Sequence, residues 1–275
     1  MIVSKKKKII IVFSCLVFIV LFILIWAFFI EPNLLIVKKL IVKDVELDGI
    51  RVAYLCDLHI CQDGKDYFSN LIKKVNEQKP DLILLGGDYV VAEIYKNKSM
   101  KSKDIALLLK ELKAKYGIFM VFGNHDEYFN TYKTFSKLLK DSDIKIMQNE
   151  NTKLSINGKD IYLVGIGDNA SCRDRIDLAF ENVKTTIIAF THSPDIFPLL
   201  PEYVNFVFAG HTHGGQVYLP YYGPVGNPRH LLGYYIKGFY KEGNKKMYVS
   251  SGVGNSHLKV RLFNLPEIVI VDFKK

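Results

Sequence analysis

Five short polar clusters hold most of the side chains in this 275-residue chain that could ligate a metal or move a proton. They are Asp57-Leu58-His59, Gly86-Gly87-Asp88, Gly123-Asn124-His125-Asp126, Thr191-His192-Ser193 and Gly210-His211-Thr212-His213-Gly214-Gly215. Five of the seven histidines lie in them; His230 and His257 do not. Taken singly, most have an ordinary reading as turns, helix caps or hydrogen-bonded structural histidines. His-x-His is more specific, because alternate residues of an extended segment point the same way and both imidazoles can reach one ion. Each cluster follows an apolar run, and the five together point to a metal centre.

The donor types narrow the chemistry. Apart from nearby Cys56 the clusters carry no thiol, which excludes a closed structural zinc site built of cysteines. Two carboxylates, an amide and several imidazoles suit a catalytic divalent cation such as manganese, iron, zinc or magnesium. Asp57, His59, Asp88, Asn124, His192, His211 and His213 are too many donors for one tetrahedral ion. Two ions sharing Asp88 fit better. A pair of cations about 3.5–4 Å apart suits phosphate ester hydrolysis, since it activates a water and neutralises charge growing on the phosphoryl oxygens.

Apolar periodicity says which elements carry these clusters. Buried strands are predicted at 50–55, 81–85 and 118–122, separated by helices near 67–78, 104–115 and 132–140. That β-α-β-α-β order implies a parallel sheet flanked by helices. From 144 onward the texture changes to a hairpin about Asn157-Gly158, then strands at 186–190, 205–209, 247–250 and 267–272. The fold expected is α/β, a two-sheet β-sandwich core flanked by helices, as one domain over 45–275. In open α/β sheets ligands bind at the carboxyl ends of the strands, where the five clusters fall.

Before that domain lie a basic segment (1–8), an apolar stretch (9–30) and an expected linker (31–44). Residues 9–30 carry no charge, and as a helix they span roughly 33 Å, enough for a hydrocarbon core of about 30 Å. The stretch is longer than a signal-peptide core and ends in bulky residues, Trp26-Ala27-Phe28-Phe29, which favours an uncleaved single-pass anchor in the cell (inner) membrane. The lysines at 5–8 favour a cytoplasmic N-terminus, sending the remainder across the bilayer. Cysteine usage pulls the other way: outside the anchor an odd three, Cys56, Cys61 and Cys172, fit a reducing compartment. The face of the catalytic domain stays open. The net charge of +9 owes four units to that lysine run and is otherwise dispersed, so no nucleic-acid partner is expected.

The order D-L-H, G-D, G-N-H-D, T-H and G-H-T-H resembles the calcineurin-like metallophosphoesterase superfamily over about residues 50–273. The tail, Ser250-Ser251-Gly252-Val253-Gly254 through Val260-Arg261-Leu262 to Pro266-Glu267-Ile268, and Glu31-Pro32 after the anchor, resemble its small bacterial membrane-anchored branch. That branch includes general phosphodiesterases and UDP-2,3-diacylglucosamine pyrophosphatases. The resemblance implies one metal on Asp57, His59 and His213, a second on Asn124, His192 and His211, and Asp88 bridging. It places His125 beside the phosphate to protonate the leaving oxygen, with Asp126 orienting its imidazole. In one departure Tyr89-Val90-Val91 follows Asp88, where many relatives carry another carboxylate.

The expected activity is hydrolysis of a phosphodiester or pyrophosphate at the membrane, on a substrate that could be lipid-linked. A tethered phosphomonoesterase or nuclease is the alternative, and a non-catalytic scaffold is disfavoured by the full donor set. The aromatic segment 218–240 either packs its rings on the core or forms a wall for an acyl chain, with Arg229 or Lys237 touching phosphate.

Overall fold

The computed structural model describes residues 5–91, 99–128, 131–225, 233–256 and 258–275. Strands β1 (Ile36–Lys43), β2 (Arg51–Leu55), β3 (Leu82–Gly86), β4 (Ile118–Val121) and β5 (Ile144–Ile146) lie in the first half of the chain. The second half holds β6 (Glu150–Ile156), β7 (Lys159–Gly165), β8 (Ile187–Phe190), β9 (Phe206–Ala209), β10 (Tyr218–Leu219), β11 (Gly223–Pro224), β12 (Gly238–Glu242), β13 (Lys245–Val249) and β14 (Glu267–Lys274). Helices α1 (Lys5–Ile25), α2 (Lys65–Glu77), α3 (Ser102–Leu109), α4 (Asn124–Tyr128), α5 (Thr131–Leu139) and α6 (Ile176–Ala179) complete the elements used below.

Two six-stranded sheets, ordered β1-β14-β2-β3-β4-β5 and β12-β13-β9-β8-β7-β6, stack face to face. Side-chain alternation decides what each face sees. Val52, Tyr54, Leu82, Leu84, Val269, Val271 and Phe273 point inward and meet Ile161, Leu163, Ile188, Phe190, Phe206 and Phe208 of the other sheet. The intervening Ala53, Leu55, Ile83, Leu85, Ile268 and Ile270 point outward onto α2, α3 and α5. A third cluster, Val207, Val249, Ile187 and Ala189 with Phe197 and Ala179, closes the far side. The expected sandwich flanked by helices is the one observed.

Two expectations differ from the structure. The segment 31–44 is no free linker: its Ile36–Lys43 stretch pairs in parallel with β14, from Ile36 with Glu267 to Lys43 with Lys274. Lysines 38, 39 and 43 are exposed on this edge strand, charge that guards the open edge against pairing with other chains. Helix α3 ends at Leu109 rather than near 115, because Asn76 of α2 reaches across: its side chain donates to the Glu111 carbonyl at 2.9 Å and accepts from the Lys113 N–H at 2.8 Å.

Strands β2, β3 and β4 run parallel, as do β7, β8 and β9. Their carboxyl ends therefore deliver Asp57, Asp88, Asn124, His192 and His211 to one edge of the sandwich. At the other end of the chain α1 continues as helical turns through Asn33, and together they are long and apolar enough to cross a membrane. Nothing in the most apolar window is buried against the domain.

Ile270 sits in the interior of β14, 1% exposed, under the α2 side of the first sheet. Ile270→Ala is expected to lower unfolding stability by about 2–5 kcal/mol, read as a lower urea midpoint at unchanged slope; an unchanged midpoint would contradict this placement of the core.

Candidate metal centre

The loops that follow β2 and β3 are stitched to each other by backbone bonds. The amides of Asp57, His59 and Ile60 donate to the carbonyls of Gly87, Asp88 and Tyr89 at 2.9–3.0 Å. This brings Asp57, His59 and Asp88 together before any side chain is considered. Two carbonyls then set tautomers. Nδ1 of His59 lies 2.8 Å from the Val90 carbonyl, and Nδ1 of His192 lies 2.8 Å from that of Gly86. Only an N–H can sit there, so in its neutral form each ring turns a bare Nε2 lone pair toward the other donors.

Those lone pairs fall into two groups. In the first, His59 Nε2 is 3.1 Å from His213 Nε2, which is 3.6 Å from Asp57 Oδ1. In the second, His192 Nε2 is 3.1 Å from both Asn124 Oδ1 and His211 Nδ1. Between them lies Asp88 Oδ2, 3.6 Å from His59 Nε2 and 3.4 Å from His192 Nε2. All seven expected ligands converge on this one cage. Side-chain nitrogens and oxygens converging this closely suit a shared cation. The spacings suit one, since bonds of about 2.1 Å put neighbouring donors roughly 3.0–3.4 Å apart in octahedral or tetrahedral coordination. Asp57, His59 and His213 have donor atoms within 4.8 Å of one another, as do Asp57, Asp88 and His192. These residues fit two divalent cations.

The electrostatics agree for three of the four histidine ligands; at the fourth, His192, burial is outweighed by the Asp88 carboxylate, which holds its pKa well above the ordinary value. Burial lowers His59 and His211 to about 4 and holds His213 well below its ordinary value, so these rings offer lone pairs at neutral pH. Burial also raises Asp57 to about 6, with the Asp88 charge adding to it. Burial works against Asp88 too, yet His192, His59 and His125 keep its carboxyl well below the usual range.

The backbone is strained to achieve this. Asp57, His59, Asp88, His211 and His213 all have positive φ, between 42° and 70°. Each such residue costs on the order of 1–3 kcal/mol, strain that clusters where side chains must be aimed. Two glycines let the loops close over one another. A Cβ on Gly123 would stand 2.2 Å from Asp88 Oδ1, and one on Gly87, whose φ is +92°, would stand 2.4 Å from the Gly123 nitrogen.

The two predicted catalytic residues occupy different settings. His125 is partly exposed at the edge of the cage, its Nε2 3.9 Å from Asp88 Oδ2, while its backbone N–H donates to Asp88 Oδ1 at 2.9 Å. Asp126 was expected to orient the His125 ring; the structure gives its carboxylate other partners. It accepts from the backbone N–H groups of Asp88 (2.7 Å), Tyr89 (3.0 Å) and Gly123 (3.0 Å). Burial and the Asp88 charge push it up to about 7, against the pull of those donors. Asp126 is a clamp joining the two loops that carry Asp88 and Asn124.

Of the two expected phosphate contacts, only Lys237 is among the described residues. Arg229, with His230 and His257, lies outside the described residues. The Lys237 ammonium lies 3.4 Å from Asn264 Oδ1 and over the Tyr218 ring at 3.7 Å, and burial lowers its pKa. The aromatic segment divides: Tyr235 and Tyr240 pack on the core, whereas Tyr221, Tyr222 and Tyr234 stand exposed.

A network unforeseen in the sequence runs behind His213. Asn264 donates to the His213 carbonyl at 2.6 Å, and the Asn264 N–H donates to Glu31. Glu31, 2% exposed, also accepts from the Trp26 indole at 2.7 Å. The fully buried Arg261 donates to the carbonyls of Ser251, Gly252, Gly254 and Asn264. Its own N–H bonds the Ala27 carbonyl at 2.9 Å. The apolar helix is thus tied to the backbone of a cage residue. The Glu31-Pro32 and Arg261 signatures marked these positions, but nothing local in the sequence pairs residues 233 apart.

The calcineurin-like phosphoesterase family profile matches residues 50–215. Over 269 residues the chain is 28% identical to an uncharacterized metallophosphoesterase, YkuE, of Bacillus subtilis, covering 90% of this chain and 89% of that one. It is 32% identical over 231 residues to phosphodiesterase YaeI of Escherichia coli, covering 81% of each. It is 25% identical over 313 residues to UDP-2,3-diacylglucosamine pyrophosphatase LpxG of Chlamydia muridarum, covering 90% and 92%. The chain belongs to the calcineurin-like metallophosphoesterases and is a metal-dependent phosphoric ester hydrolase.

Asp126→Ala removes the acceptor for three buried N–H groups, each costing about 1–3 kcal/mol when left unpaired. We expect the purified variant to lose bound metal as well as stability. A variant that keeps its metal and shows only an altered pH profile of turnover would restore the orienting role.

Proposed function

We propose that this chain is a dinuclear phosphoesterase of the cell (inner) membrane, anchored once through residues 9–30 with its catalytic domain over 45–275, that cleaves phosphodiester or pyrophosphate bonds. The observation that carries this reading is the Asp88 carboxylate set between two three-donor groups. Asp57, His59 and His213 would hold one divalent cation (manganese, iron, zinc or magnesium), and Asn124, His192 and His211 the other. When bound, the cations supply an activated water and a counter-charge for the phosphoryl oxygens.

The remaining steps belong to side chains. His59 and His192, locked by the Val90 and Gly86 carbonyls, need no rearrangement to act, which keeps the cage preorganised. His125 stands where the cage opens, 3.9 Å from Asp88 Oδ2, so a protonated imidazole there can hand its Nε2 proton to the departing oxygen. Similarity to a UDP-2,3-diacylglucosamine pyrophosphatase supports a lipid-linked substrate. So does the apolar helix tied to the back of the site through Trp26, Glu31 and Asn264.

Purified full-length protein with manganese is expected to prefer a phosphodiester or UDP-linked lipid over a phosphomonoester; the reverse ranking would overturn the reading. His125→Ala should lower kcat about 10²-fold or more with metal content unchanged. Native turnover in that variant would remove His125 from the chemistry.

A further inference from the structure

A cavity of about 400 Å³ opens beside the cage and plays no part in ligating metal. One wall is His59 with its neighbour Leu58; the others are Tyr67 and Phe68 of α2, Val91, Val253 and Leu258. Its fourth side is Pro32 and Asn33, the last turn of the apolar helix. The volume falls within the range of about 300–1,000 Å³ typical of small-molecule sites, and the lining is largely apolar.

Resting on the phosphoesterase reading above for its phosphate end, we propose that this cavity is a subsite for one acyl chain of a phosphate-bearing membrane lipid. Three observations argue for that occupant. The first is position: Pro32 and Asn33 end the helical stretch that could cross a bilayer, so the cavity lies at the boundary between hydrocarbon and water. The second is continuity with that boundary. The lining loop that carries Val253 and Leu258 leads to Arg261, whose N–H is bonded to the Ala27 carbonyl within the apolar helix. Leu258 and Phe263 in this stretch are 56% and 59% exposed, an apolar rim where a lipid chain would enter. Lys259 beside it supplies a cation for a lipid phosphate approaching from the headgroup layer.

The third observation concerns the neck. Asn255 lines the cavity, and its Oδ1 is buried with no hydrogen-bond partner among the described residues. A buried acceptor left unpaired is costly, and a ligand O–H or N–H would satisfy it. A lipid carrying a hydroxyl or amide beside its chain would satisfy it. Val91 has a place in the same account. It is 4% exposed and gives the cavity an apolar wall.

The test uses full-length protein in phosphatidylcholine nanodiscs with manganese. The probe is a lysophosphatidylglycerol bearing a diazirine near the end of its acyl chain: one chain, one phosphodiester and free hydroxyls. After irradiation, adducts are expected on Leu58, Tyr67, Phe68, Val253 or Leu258, and a monoacylglycerol with the same labelled chain should mark these positions far less. Leu258→Asp, which places a charge in the entry path, should cut labelling there about tenfold. Adducts confined to the apolar helix, equal labelling by the two probes, or no loss in Leu258→Asp would each overturn the assignment. Hydrolysis of bis(p-nitrophenyl) phosphate by the unmodified protein reports separately on the phosphoesterase reading. If that activity is present and cavity labelling absent, only the lipid subsite fails.

Discussion

The structure depends on burying Asp57 and Asp88 together. A carboxylate taken out of water costs several kcal/mol, and two of them face one another here across a cluster of imidazoles. His59, His211 and His213 are held in their uncharged forms by burial and do not offset that cost; His192 offsets part of it, since the Asp88 carboxylate outweighs burial and holds its pKa well above the ordinary value. Divalent cations bound among these donors would offset the remainder. The cage therefore calls for more positive charge than its own side chains supply, and the rest of the fold keeps the donors aimed.

How the aim is kept explains several otherwise unrelated features. Parallel strands from both sheets end at one edge, so each donor follows directly from a rigid element rather than from a free loop. Five of the ligands take left-handed backbone conformations, which a ladder of amides and the Asp126 clamp hold in place. Tyr89 supports the same loop from below: it accepts from the Gly87 N–H at 3.2 Å, and its hydroxyl lies 2.8 Å from the Val121 carbonyl. Behind His213, Asn264, Glu31 and Trp26 extend the hydrogen-bonded scaffold to the last turns of the apolar helix.

Much of this was legible in the sequence, for identifiable reasons. Alternating and helical periodicities reveal β2, β3, β4 and their helices, and the chemistry sits where parallel strands end. Donor identity and grouping follow from side-chain type and from the motif order. What was hidden depends on three-dimensional proximity. Asp126 beside His125 suggests an imidazole partner, yet its carboxylate faces the backbone of Asp88, 38 residues away. Residues 36–43 look like a linker because their strand partner, β14, comes more than two hundred residues later. Lys237, expected to touch phosphate, has Asn264 and the Tyr218 ring beside it, a setting no local pattern announces.

The most direct measurement is the metal stoichiometry of the unmodified full-length protein, purified with manganese and freed of loose ions, by inductively coupled plasma mass spectrometry. Two ions per chain, released together with activity on chelation, is the result predicted by two donor groups sharing Asp88. A fully active preparation holding one ion or none per chain would contradict the account.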